Sequence, residues 1–325
     1  MTSLDRIKAC LYGGALGDAL GYAVEFSAWD EIRAEYGEKG ILEPELTGGK
    51  ALISDDTQMT LFTAEGMLTA KENGIDLTDG IYQAYLCWLD TQEYMTSPEL
   101  VCALKNDPVM RHRRAPGNTC VGSLLSGRMG TIAKPLNDSR GCGGVMRSAP
   151  LGFISGSLEN GARSAAITHG SPLGWLPAGM LSDMVYRCLY GGYGSLREIT
   201  EASLSETERV YGGYDETAAF CSLMRRAIDM SLSPFGGRDA ILALGEGWTG
   251  HEALAIAVYC ALCYPTDMKS ALIAAVNHDG DSDSTGAVTG NIVGAYTGCY
   301  PTDWAGKIEV REEIEDICLR LSEII

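Results

Sequence analysis

Between His278 and Thr285 the chain reads HDGDSDST, which sets carboxylates at Asp279, Asp281 and Asp283 among the hydroxyls of Ser282, Ser284 and Thr285. Oxygen donors at this density suit hard cations such as Mg²⁺, Mn²⁺ or Ca²⁺, whereas zinc is more often held by Cys and His. A second group, Ser54, Asp55, Asp56 and Thr57, lies far earlier in the chain. Each group opens a stretch of helical periodicity. Helix capping, with negative charge favoured in the first turn by the helix dipole, therefore explains either group as readily as metal binding does. If the fold brings the two together, their like charges repel and a cation converts the repulsion into binding; if it keeps them apart, no metal is needed. An EF-hand is excluded by the spacing: counted from Asp279, the position that requires Gly is Ser284 and the one that requires Glu is Gly290.

The elements around these groups read as helices. Over residues 4 to 26, Ile7, Leu11, Ala15 and Ala19 share one face while Gly13, Gly17 and Gly21 recur every fourth residue on another. Glycine costs about 1 kcal/mol relative to Ala inside a helix, so three in register imply the close approach of a backbone or a ligand. Glu25 at the end of this stretch is either part of a polar cap or a side chain delivered to a site. The residues after the last acidic group repeat the pattern at Gly286, Gly290, Gly294 and Gly298. Further helical patterns run through 76 to 106, Leu176 to Leu189, Leu196 to Arg209, Ala218 to Met230, His251 to Leu262 and Met268 to Val276, and residues 27 to 52 read as turn-rich. Strand alternation and βαβ patterns do not appear. The expectation is one mostly helical domain over 1–325, with both acidic groups in a common core.

Lys and Arg total 25 against 43 Asp and Glu, a net charge of −18. Such a surface repels nucleic acid and anionic lipid, so neither is expected as a partner. Eleven scattered cysteines point to a reducing, cytoplasmic setting, and Cys260 and Cys263 read as a buried helical pair rather than half a zinc site. Residues 111 to 114, RHRR, are a solvated charge run or, beside Gly117, Asn118 and Thr119, the edge of an anion site. Gly141, Cys142, Gly143 and Gly144 leave the backbone open at what reads as a helix entrance, an arrangement that cradles phosphate oxygens. Cys142 or Cys120 paired with His169 would make a nucleophilic thiol, but neither sits in a recognisable peptidase signature, and an isolated His such as His169 is more commonly a satisfied buried imidazole.

As a set, six segments resemble the ADP-ribosylglycohydrolase family: GGALGDALGYAVEF (Gly13 to Phe26), SDDTQMTL (Ser54 to Leu61), GNTCVGSL (Gly117 to Leu124), GCGGVMRSAPLG (Gly141 to Gly152), THGSP (Thr168 to Pro172) and DGDSDSTGAVTGNIVGA (Asp279 to Ala295). They occur in family order and span nearly the whole chain. The resemblance implies an all-α, single compact multi-helix domain with a binuclear Mg²⁺ or Mn²⁺ centre at the bottom of a cleft. It implies that Ser54, Asp55 and Asp56 form one half of the metal site and Asp281, Asp283 and Ser284 the other. Glu25, Asp55 and Asp56 become the catalytic carboxylates, and Asn118, Thr119, Gly141, Cys142, Gly143, Gly144 and His169 the substrate-binding residues.

The implied reaction is hydrolysis of the N- or O-glycosidic bond at C1″ of the distal ribose of an ADP-ribosylated protein, with release of ADP-ribose. Ser284, where other members carry Thr, resembles the arginine-directed branch. An O-linked serine substrate, a small ADP-ribosyl metabolite and a non-enzymatic ADP-ribose-binding role are the alternatives. Asp279, standing where the family more often has Gly, is an extra carboxylate without an assigned role.

Overall fold

The computed structural model describes residues 2–94, 102–233 and 237–323. The helices are α1 Ser3–Tyr22, α2 Trp29–Tyr36, α3 Asp55–Asn73, α4 Leu77–Thr91, α5 Asn118–Leu125, α6 Ser157–Ala166, α7 Pro172–Tyr190, α8 Leu196–Tyr211, α9 Thr217–Met230, α10 Gly237–Leu244, α11 Gly250–Cys263, α12 Met268–Val276, α13 Ser282–Thr297, α14 Thr302–Ala305 and α15 Arg311–Leu321. Among the described residues there are no strands, only isolated bridges such as Ala51 with Ile308 and Gly141 with Thr249. No helix of the described chain is long and apolar enough to cross a membrane.

The pair α1 and α13 forms the axis of the fold, and glycine is the reason. A Cβ added at Gly17 would lie 2.0 Å from the Gly286 carbonyl oxygen, one at Gly13 would lie 2.2 Å from that of Gly290, and one at Gly21 would lie 2.2 Å from that of Ser282. The two backbones touch along their length, and Asn291 locks the register by donating from Nδ2 to the Cys10 carbonyl at 2.9 Å. Side chains that would ordinarily separate two helices are absent, so the end of α1 and the start of α13 lie side by side. Gly17→Ala is therefore expected to cost about 1–3 kcal/mol or more, the range for overpacking a filled site, read as a lower denaturant midpoint. An unchanged midpoint would mean the two helices are free to part.

Around this axis α11, buried continuously from Ala253 to Ala261, packs against α13, α9 and α7, while α3 packs on α4 and α15. An all-round apolar helix of this kind belongs in the centre of a helical core. Two expectations are corrected. The turn-rich reading of residues 27 to 52 missed α2: its first amide is held at a distance, Trp29 N donating to Asp279 Oδ1 at 2.9 Å, so the local sequence carries only part of its start signal. The helix expected to follow the GCGG segment is instead a pair of short 3₁₀ turns, Cys142–Gly144 and Ala149–Phe153. The pattern over 76 to 106 ends at Thr91 as α4 and resumes as a 3₁₀ turn at Ala103–Asn106, with 95–101 outside the described residues.

Candidate active site

Both acidic groups do cap helices, and the capping is what aims them. Ser54 is the N-cap of α3, its hydroxyl accepting from Asp56 N at 3.1 Å. The amides of Ser54 and Thr57 donate to the carboxylate of Asp18, which projects from α1, at 2.9 and 3.0 Å. Asp55 is held at both ends, its N–H donating to the Arg114 carbonyl and its Oδ2 accepting from Gly117 N at 3.2 Å. On the other side Asp281 caps α13, and the Ser284 amide donates to Asp283 Oδ1 at 2.9 Å. Gly280 makes the approach to that cap possible: at φ +118° its would-be Cβ lies 2.0 Å from the Glu246 carbonyl oxygen, to which no side chain could come so near.

The α1–α13 contact then closes the site. A turn after Tyr22 carries Glu25 and Phe26 over the junction, and Glu25, Asp55, Asp56, Asp281, Asp283 and Ser284 line one cleft of about 330 Å³. Asn118, Thr119, Gly141, Cys142, Gly143 and His169 line the same cleft. Ser54 and Gly144 do not reach it. Ser54 is fully buried behind the acidic residues, and Gly144 packs backwards, where a Cβ would meet the Gly174 carbonyl oxygen at 2.7 Å. The basic run is spent elsewhere: Arg114 forms an ion pair with Glu309 at 3.0 Å and Arg111 with Asp90 at 3.2 Å.

The electrostatics of the cleft are one-sided. Burial, with the charge of Asp283 adding to it, pushes Asp18 up to about 7 and Glu25 up to about 10. The same two causes hold Asp55, Asp56 and Asp281 well above the usual carboxylate range, although the Gly117 amide partly offsets them at Asp55. Glu25 Oε2, Asp56 Oδ2 and Thr57 Oγ1 are buried and have no hydrogen-bond partner among the described residues. Buried polar atoms are nearly always satisfied, so these oxygens lack a partner that the protein does not itself provide. The described residues hold no compact group of three or more His, Cys, Asp or Glu side chains already drawn around one point. The donor set, hard oxygens in mutual repulsion with orphaned atoms among them, nevertheless fits divalent cations of the Mg²⁺ or Mn²⁺ kind.

His169 lines the same cleft. Its ring edge sits so close to the GCGG loop that a Cβ at Gly143 would lie 2.9 Å from His169 Cε1 and 2.8 Å from Cys120 Sγ. Packing within the protein thus accounts for at least one of the glycines first read as an opening for phosphate. Burial first and Arg147 second depress His169 to about 3, so it is a neutral imidazole. Burial, then the charges of Asp281 and Asp56, push the Cys142 thiol well up, and burial raises Cys120 as well. A thiolate nucleophile has no support here.

Five contributors were given no role from the sequence. Asp18 orients the start of α3. Arg147 is completely buried, donating to Thr168 Oγ1 at 2.6 Å and Cys120 Sγ at 3.2 Å and lying 4.4 Å over the Tyr85 ring. Thr168 Oγ1 in turn meets His169 Nδ1 at 2.8 Å. Phe26 and Trp248 stack at 5.8 Å on the rim of the cleft, and Phe26 is 74% exposed. An Arg within the apolar run GVMRSAPLG was the available signal for Arg147. Thr168→Val keeps the volume but leaves a buried Arg147 N–H unmatched, and is expected to cost about 1–3 kcal/mol, measured by denaturant unfolding. A cost near zero would show that Arg147 finds other partners.

The sequence matches the ADP-ribosylglycohydrolase family over residues 1–325. The chain belongs to that family. Among curated relatives it is similar to the ADP-ribosyl-[dinitrogen reductase] glycohydrolase of Rhodospirillum rubrum, 30% identical over 96% of this chain and 92% of that protein. It is also 27% identical to an uncharacterized protein of Archaeoglobus fulgidus, over 98% of this chain and 97% of that one. Among solved structures an ADP-ribosylglycohydrolase-related protein complex superposes with a TM-score of 0.62 at 24% identity, covering 99% of this chain and 98% of the other, which shows the shared fold. As an ADP-ribosylglycohydrolase the chain is a hydrolase of glycosidic linkages of ADP-ribose. Asp279 is bonded to the Trp29 amide and forms an ion pair with Arg238, and it does not line the cleft.

Proposed function

We propose that this enzyme, acting as a single domain over 1–325, removes ADP-ribose from a modified protein side chain, arginine first, and so reverses mono-ADP-ribosylation. The observation that carries the reading is the meeting of Asp55 and Asp56 with Asp281, Asp283 and Glu25 in one cleft that His169 and the GCGG loop also line. Two divalent cations, Mg²⁺ or Mn²⁺, would be held by Asp55 and Asp56 on one side and Asp281, Asp283 and Ser284 on the other, with Ser54 capping α3 behind Asp55 and Asp56. When bound they supply Lewis-acid charge for the ribose hydroxyls and for a water.

The chain's own residues do the rest. Glu25 sits above the junction with a raised affinity for its proton and an unpartnered Oε2, which suits a general acid that protonates the leaving group as the oxocarbenium-like state develops. Asp55 is pinned by the Gly117 amide, whereas Asp56 has a free oxygen and can orient the attacking water. Neutral His169, with Asn118 and Thr119, would hold the diphosphate beside the GCGG loop, and the buried Arg147 behind the loop adds a positive field that favours an anion there. The similarity to the R. rubrum enzyme supports a protein-linked substrate, and Ser284 supports arginine over serine as the linked residue. We place the reaction in the cytoplasm, in keeping with the many reduced cysteines.

Release of ADP-ribose from a panel of Arg-linked and Ser-linked ADP-ribosyl peptides, with and without Mg²⁺ or Mn²⁺, tests this directly. Cation-dependent turnover of the Arg-linked peptide, abolished by Asp281→Ala, is the expected result. Turnover in chelator, full activity of the variant, or preference for the Ser-linked peptide would overturn the corresponding part.

A further inference from the structure

A second cavity, of about 610 Å³, lies on the far side of the loop that leads into α13: Asn277 lines it, whereas Asp281 lines the catalytic cleft. Its lining is apolar at Ile241, Tyr259 and Ala274 and cationic at Lys39 and Arg238. In a chain of net charge −18, two cations turned toward one concavity are unusual company. Arg238 is only partly committed. Nη2 pairs with Asp279 Oδ2 at 2.5 Å and the guanidinium lies 5.1 Å over the Trp29 ring, but the buried Nε has no partner among the described residues. A volume in the range of small-molecule sites, a mainly apolar lining and a few convergent polar groups are the marks of a ligand pocket. An arginine flattened on an aromatic face, with a donor to spare, is suited to a carboxylate or phosphate.

We propose that this cavity is a second ligand site for a small aromatic anion, its carboxylate or phosphate on Arg238 and Lys39 and its ring against Tyr259 and Ile241. The site is coupled to the catalytic loop through one residue. Asp279 receives both Arg238 and the Trp29 amide, and the chain passes from it through Gly280 to Asp281. An anion bound at Arg238 competes with Asp279 and acts on the loop that presents Asp281 and Asp283. The proposal does not depend on which linkage the enzyme cleaves, because its test reads binding.

Isothermal titration of the intact protein with AMP and indole-3-acetate, each beside its neutral counterpart, adenosine or indole, distinguishes phosphate from carboxylate ligands. At least one anion is expected to bind at least tenfold more tightly than its neutral counterpart, and Lys39→Ala and Ala274→Trp are each expected to weaken that binding about tenfold. Ala274→Trp fills the cavity from α12 and should leave turnover without the anion unchanged. Should it fail to fold, Lys39→Ala alone decides. Absence of binding by both anions at about 1 mM, equal binding of the neutral compounds, or wild-type affinity in the folded variants overturns the proposal.

Discussion

Asp283→Asn is expected to lower kcat by about 10³-fold while raising the melting temperature of the protein kept in chelator. Both effects follow from the position of Asp283 as the common neighbour of the acidic residues. Its charge raises the proton affinity of Asp18, Glu25, Asp55, Asp56 and Asp281 together. Asparagine retains the shape and the oxygen that accepts from the Ser284 amide, and Asp281, the N-cap of α13, is untouched. What is lost is one buried negative charge, and with it the repulsion felt by five others. Without cations that relief is a gain in stability, because unpaired buried charges are costly. For catalysis it is a loss, since the charge that repels carboxylates is the charge that would hold a cation, and Lewis-acid assistance contributes several kcal/mol at about 1.4 kcal/mol per tenfold. The kinetic arm is read by release of ADP-ribose and the stability arm by thermal melting in EDTA. A variant that melts lower in chelator, or that keeps more than about a tenth of its turnover, contradicts this account.

The same opposition between stability and function explains which parts of the site were legible in the chain. Acidic runs at helix starts are visible because capping and cation binding favour the same residues, and the four-residue glycine spacing on α1 and α13 signals close approach before the partner is known. What the runs cannot show is that Gly17 meets Gly286, and hence that Glu25 lines the same cleft as Asp283. Asp18 stands out amid the α1 glycines but shows no role there, because the amides it satisfies belong to Ser54 and Thr57, at the start of another helix. Arg147 lacks any sequence-local partner; its contacts come from Cys120, Thr168 and Tyr85. Asp279 resisted assignment for the converse reason. It sits inside the acidic run, yet its partners are the α2 amide and an arginine on α10. Glycines posed a further ambiguity, since Gly143 yields space to His169 and Gly144 to the Gly174 carbonyl, and spacing alone does not separate these from a glycine that yields to a ligand.

In the absence of divalent cations the protein is expected to become less stable as pH rises from about 5 to about 8, and added Mg²⁺ or Mn²⁺ is expected to flatten or reverse that trend. Carboxylates in an unfolded chain titrate near 4. Asp18 is held up to about 7 and Glu25 up to about 10, both by burial and by Asp283, and Asp55, Asp56 and Asp281 are raised in the same sense. Between the unfolded and folded values the folded state binds more protons than the unfolded one. Stability therefore falls with pH across that window, which ends near 7 for Asp18 and near 10 for Glu25. Below the window the sign reverses. At Asp279 burial is outweighed by the Trp29 amide and Arg238, which hold it under the usual range, so its contribution is lost on acidification. A maximum near pH 5 is thus expected in chelator, a lower optimum than the pH 5–8 span usual for proteins. Cations bind the ionised carboxylates only, so their stabilisation, which grows with ligand concentration over Kd, increases as protons leave. Melting curves across pH, in EDTA and in excess Mg²⁺ or Mn²⁺, read both slopes. Parallel curves with and without cation would show that the buried carboxylates are not its ligands, while a flat curve in EDTA would show that they are already neutralised by the protein itself.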